Sequence, residues 1–195
     1  MVKFLKNNVL LIVALIIAFL AMFVFNSTNV EGISMENTLR DKDKLITEIF
    51  TRSYQRKDIV ILFADNQGQG FVIPNLFNTL FQATKANRVI YVKRVIALPG
   101  ESIEVKNKDV IIYNSEFPNG FILQEDYAKN DYICTTGGIP QRSGNPVDFA
   151  RTEVPEGSYF VMGDNRGCSK DSRILKSITK DSIIGRVVIK FRKDN

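Results

Sequence analysis

The sequence predicts a mainly β protein carried behind one membrane-spanning helix, and three observations predict it. An unbroken apolar run occupies positions 9–25. After it come short segments of alternating or continuous apolar residues, punctuated by Gly, Pro, Asn and Asp. No long amphipathic helix alternates with them, so a parallel α/β sheet is not expected.

Positions 1–8 carry Lys3 and Lys6 ahead of the apolar run. The run, 9–25, has no charge, Gly or Pro, and at helical rise it spans about 26 Å, close to a bilayer core. A cleavable leader would need small residues where Met22-Phe23-Val24-Phe25 stands, so a retained anchor is expected. The two lysines then hold the N-terminus in the cytoplasm and the remainder faces outward from the cell membrane. The linker 26–33 reaches at most about 28 Å, which keeps Ser34 near the bilayer surface.

Strands are expected at 44–50, 58–63, 89–97, 102–105, 109–113, 158–162 and 182–191, with Asn107-Lys108 as a hairpin turn. The stretch 128–152, rich in Gly, Pro, Asn and Ser, reads as loop within an inserted subdomain. The domain plan is therefore a β core from 26–101 and 154–195, interrupted by a small β subdomain at 102–153. Segment 65–88 sets Leu76, Phe77, Leu80 and Phe81 at helical spacing behind Pro74. That stripe either covers the protein's own core or lies in the membrane interface beside the anchor.

The net charge of +5 is diffuse, and no basic-aromatic motif points to nucleic acid. Cys134 and Cys168 either pair in an oxidising compartment or remain buried thiols. With no histidine and no CxxC pair, a zinc site lacks ligands.

The absence of histidine also restricts the chemistry. If Ser34 is a nucleophile, its proton cannot pass to an imidazole, and lysine is the remaining common base. Lys93 lies within Val89-Ile90-Tyr91-Val92-Lys93-Arg94-Val95-Ile96, where alternation places Tyr91, Lys93 and Val95 on one face. An amine desolvated there would have a lowered pKa; a lysine snorkelling from a sheet rim would not.

Four stretches occur in order: Ser34-Met35-Glu36-Asn37-Thr38-Leu39, Arg56-Lys57-Asp58-Ile59-Val60, Lys93-Arg94-Val95-Ile96-Ala97-Leu98-Pro99-Gly100-Glu101, and Gly163-Asp164-Asn165-Arg166 continuing to Ser169, Asp171, Ser172 and Arg173. Together they resemble the motifs of bacterial type I signal peptidases, in the glycine-bearing subgroup typical of Gram-positive enzymes because Gly32 precedes Ser34 by two. The resemblance implies a membrane-anchored serine endopeptidase with a signal-peptidase-type β core, Ser34 as nucleophile and Lys93 as general base. It implies that Ser169 orients the lysine, that Asp171 and Arg173 form a supporting ion pair, and that Val30, Met35, Leu39, Tyr91 and Val92 line pockets for small side chains. Its partners would be signal peptides of exported preproteins and the lipid bilayer, with a monomeric enzyme and no metal or organic cofactor. Three positions depart from the pattern: Asn37 stands for a proline, Ala97 for a common glycine and Lys57 for a glycine.

Two rival readings remain. A self-cleaving Ser-Lys domain like the SOS-response repressors would be soluble and carry a DNA-binding domain. A non-catalytic signal-peptidase-like scaffold or pilus-assembly factor would bind exported chains without cutting them.

Overall fold

The structure is a computed structural model that describes residues 8–13, 25–49, 51, 53–64, 89–130, 133–136, 139–142 and 147–192. Its strands are β1 (Phe25–Asn29), β2 (Lys44–Glu48), β3 (Ile59–Ala64), β4 (Val89–Ala97), β5 (Ser102–Lys106), β6 (Asp109–Tyr113), β7 (Phe121–Ile122), β8 (Ile133–Thr136), β9 (Ile139–Arg142), β10 (Phe149–Glu153), β11 (Ser158–Met162), β12 (Ile178–Thr179) and β13 (Ile183–Phe191). A short helix, α1 (Ser172–Leu175), begins within the last of the four motifs, at Ser172. The described protein is mainly β, as the sequence predicts.

A seven-stranded sheet, ordered β1-β2-β13-β3-β4-β11-β12, forms the centre. Alternation explains why it is covered on both faces. Val60 and Leu62 of β3 join Val95, Val161, Leu175 and Ile178 in one cluster, whereas Ile61 joins Val30, Met35, Leu39 and Leu45 in another. The second sheet, β10-β5-β6-β7, packs Ile103, Val105, Val110 and Ile112 against Ile96, Ala97, Phe160 and Met162 of the first. The two sheets thus share a core. Asn107 and Lys108 both take positive φ, 52° and 73°, so they turn β5 into β6 as a two-residue hairpin without glycine.

Several elements differ from expectation. The stretch 128–152 is not continuous loop: β8 and β9 form a hairpin of their own, and β10 begins at Phe149 and pairs with β5. Turn-forming composition masked them because each strand is short and β10 breaks register between Phe149 and Thr152. Phe25, read as the end of the anchor, instead opens β1, which pairs with β2 from Phe25↔Glu48 to Asn29↔Lys44. The first half of the expected linker, 26–29, is therefore strand. Of the expected anchor, residues 9–13 are helical and 14–24 lie outside the described residues. Among the described residues no helix is long and apolar enough to cross a membrane. The 65–88 segment also falls outside them.

Candidate active site

Strand β4 runs through the middle of the large sheet, and its pairing with β11 ends at Met162↔Arg94. Gly163 therefore stands where the next pair would be, beside Lys93. The gap is filled by the turn that begins at Ser34 and by the loop 163–171, so residues far apart in sequence converge at one point of β4.

There, Lys93 Nζ lies 2.8 Å from Ser34 Oγ and donates to the Val92 carbonyl at 2.9 Å. Its ammonium also sits 5.3 Å from the centre of the Tyr91 ring. Lys93 is only 2% exposed. Burial pushes its pKa down from 10.5 to about 8; nearby Asp171 and Asp164 oppose that shift, and Arg173 adds to it. This is the buried amine that the alternation of β4 suggested, not a snorkelling one.

The close approach of the pieces depends on Gly163. A Cβ there would come within 2.4 Å of Ser169 Cβ and 2.5 Å of the Ser34 carbonyl oxygen. Gly163→Ala is expected to displace Ser34 from Lys93 and lower kcat about 100-fold, because misplacement by an ångström costs that order of rate. Steady-state kinetics on a peptide substrate check this, and an alanine variant with wild-type kcat would refute it.

Two buried ion pairs frame Ser34 and Lys93. Asp171 accepts Arg173 Nε at 2.9 Å and Nη2 at 2.8 Å, and also receives the Gly163 amide at 3.1 Å. Burial alone would raise the Asp171 carboxyl, but bonds from Arg173, Gly163 and Ser169 hold it below the usual carboxylate range. Arg94, the neighbour of Lys93, grips Asp164 through Nε at 2.8 Å and Nη2 at 2.6 Å. Thr38 Oγ1 donates to the same carboxylate at 2.5 Å, which ties the far end of the Ser34 turn to β4 through Arg94. Asn165 fixes the near end, since its backbone N–H donates to the Ser34 carbonyl at 3.1 Å.

A cleft of about 700 Å³ opens over Ser34 and Lys93. Val30, Met35, Tyr91 and Val92 line it, together with Gly32, Ile90, Cys168 and Lys170. Leu39 is the exception among the expected pocket residues. It is 1% exposed, packs with Val30 and Met35 in the cluster beneath, and lines a neighbouring pocket instead. A disulfide joins Cys134 of β8 to Cys168 on the cleft wall, deciding between the two states the sequence left open. Among the described residues no group of three or more Cys, Asp or Glu side chains is placed to hold a metal ion.

Sequence reasoning did not find the contribution of loop 125–130. Arg166, fully buried, forms a two-pronged pair with Glu125 at 2.8 and 2.5 Å. The Tyr127 ring lies 4.0 Å from the Arg94 guanidinium, and Lys129 pairs with Asn165 as an isolated parallel bridge. The signal available was Arg94 itself: a charged side chain in an apolar central strand needs a buried partner.

Residues 2–192 match the family model described as signal peptidase, peptidase S26. Signal peptidase I P of Bacillus subtilis subsp. natto is 35% identical over 181 residues, covering 90% of this chain and 81% of that protein. Signal peptidase IB of Staphylococcus aureus is 28% identical over 185 residues, covering 92% of this chain and 84% of that one. The crystal structure of a signal peptidase I from Enterococcus faecalis V583 aligns with 27% identity and a TM-score of 0.42, over 70% of this chain and 98% of that one.

Proposed function

Because the chain belongs to the signal peptidase family, peptidase S26, we propose that it is a membrane-anchored serine endopeptidase that removes signal peptides from exported preproteins with a Ser34–Lys93 dyad. The observation that carries the reading is the 2.8 Å approach of a fully buried lysine amine to the Ser34 hydroxyl. In its neutral form that amine accepts the Ser34 proton at the same separation, and Ser34 Oγ attacks the scissile carbonyl. The ammonium formed on Lys93 then protonates the leaving amine. Water, deprotonated by Lys93, hydrolyses the acyl-enzyme. The Ser34 backbone N–H is the main oxyanion donor in this scheme.

Ser169 orients the lysine, and Asp171 with Arg173 supports it from below. The cleft-lining Val30, Met35, Tyr91 and Val92 admit small residues such as alanine at the cleavage site. Leu39 acts from behind by backing Val30 and Met35. An extended substrate lies against β4 and the strand leading to Ser34, adding to the sheet. Residues 9–25 serve as the anchor, with the N-terminus cytoplasmic, the β core of 26–101 and 154–195 outside, and 102–153 as its inserted subdomain. Enzyme and substrate in one bilayer then meet at raised effective concentration. The enzyme works as a monomer.

The test is cleavage of a preprotein with an Ala-x-Ala site in detergent or liposomes by wild type and by Ser34→Ala. Cleavage by wild type alone is expected. Wild type that binds the preprotein but leaves it intact would replace this reading with the scaffold.

A further inference from the structure

The turn carrying Ser34 has an unusual backbone at its centre. Thr38 N and Leu39 N both donate to the Met35 carbonyl, at 3.1 and 2.9 Å, closing a tight turn through Glu36 and Asn37. Asn37, third in that turn, has φ +106°. This is the left-handed side, which glycine adopts freely, asparagine tolerates and other side chains resist. Proline, locked near −65°, cannot adopt it. The same residue makes a second connection, because Asn37 Nδ2 donates to the Tyr127 carbonyl at 2.8 Å.

That bond closes a circuit. Tyr127 presents its ring to the Arg94 guanidinium at 4.0 Å, and Arg94 grips Asp164. Asp164 receives Thr38 Oγ1, one residue beyond Asn37. The turn is therefore held at Ser34 by Asn165, at Thr38 by Asp164, and at its crest by Tyr127. The crest bond is exposed and competes with water, so it adds little to stability. Its use is geometric, since the turn's path sets where Ser34 Oγ points.

We propose that Asn37 is a positioning residue, whose left-handed backbone and amide tether to the Tyr127 carbonyl aim Ser34 at Lys93. The inference rests on the Ser34–Lys93 reading for its kinetic consequence, but not for its structural one.

The experiment compares the full chain in detergent with Asn37→Gly, Asn37→Ala and Asn37→Pro, reading kcat and KM on a preprotein and amide exchange over 34–39. Glycine keeps the backbone and loses only the tether, so kcat should fall about threefold. Alanine resists positive φ, and kcat should fall about tenfold. Proline excludes it, and a fall of about 100-fold is expected. KM should stay within about twofold in all three, because the lining side chains are untouched. Exchange at the Thr38 and Leu39 amides should quicken in the order glycine, alanine, proline.

A merely stabilising residue would lower the melting temperature and leave kcat unchanged at permissive temperature. Alanine and proline variants with wild-type kcat and exchange would overturn the proposal, and so would glycine falling as far as alanine. If wild type itself cleaves nothing, the peptidase reading fails while the exchange series still decides whether Asn37 holds the turn.

Discussion

Lys93→Met is expected to give a protein that is inert toward preprotein yet harder to unfold than the wild type. If Lys93 is the base for Ser34, as proposed, its loss should cost about 10⁴-fold or more in kcat. The stability gain follows from the same burial. Burial first, with Arg173 adding and Asp171 and Asp164 opposing, brings the folded-state pKa of Lys93 from 10.5 to about 8. Between those values the unfolded chain holds a proton that the folded chain does not, so stability rises with pH across that window. Below about pH 8 the full penalty applies, about 3 kcal/mol at 1.36 kcal/mol per unit. Methionine fills a similar volume with no charge and escapes that penalty. Urea unfolding at pH 7 should show the variant more stable by up to that amount, with the advantage vanishing near pH 10.5. The activity of the wild type should climb about tenfold per pH unit below 8 and level off above. A flat profile from pH 5 to 9, or a methionine variant less stable at pH 7, would sink the lysine-base account.

Such a trade, stability given up for a neutral amine, was partly visible in the sequence. The absence of histidine forced attention onto lysine, and the alternation of β4 put Lys93 on a face with Tyr91 and Val95. The regular strands were legible for the same reason: β4, β6 and β11 have the bounds that their apolar periodicity indicates. Where pairing, not pattern, makes the strand, the signal fails. β1 is Phe-Asn-Ser-Thr-Asn, whose place is fixed by β2 and not by hydrophobic alternation.

Backbone conformation was the other blind spot. Lys57 stands where the resemblance expects glycine, and its φ of +75° shows why a glycine would suit the position. At Asn37, where the resemblance expects proline, the chain follows a path that proline cannot take, which residue identity alone does not reveal. The carbonyl of Tyr127, which receives Asn37, is a main-chain acceptor and leaves no mark on residue identity. Cysteine composition could not decide pairing, because proximity of Cys134 and Cys168 depends on the fold bringing β8 to the cleft wall.

Arg173→Met carries the largest expected loss of stability. Both side chains of the Asp171–Arg173 pair are fully buried, with a 2.8 Å contact. Removing the guanidinium leaves the buried carboxylate without the charge it is paired with, and breaking such a pair costs about 3–5 kcal/mol. The pH dependence gives the mechanism away. In the wild type the Asp171 carboxyl is held below its usual range, so its contribution is present above the unfolded carboxylate pKa of about 4 and is lost as pH falls through the folded value. In the variant burial acts with less opposition and pushes the carboxyl up, so it takes a proton at milder acidity and relieves its own penalty. The stability gap between the two proteins should therefore be widest at neutral pH and narrow as pH falls toward 4. Urea midpoints across pH 4–7 measure it. A gap under about 1 kcal/mol at pH 7, below the range for a broken buried pair, would show that Asp171 finds other partners. A gap independent of pH would show that the loss is packing and not charge.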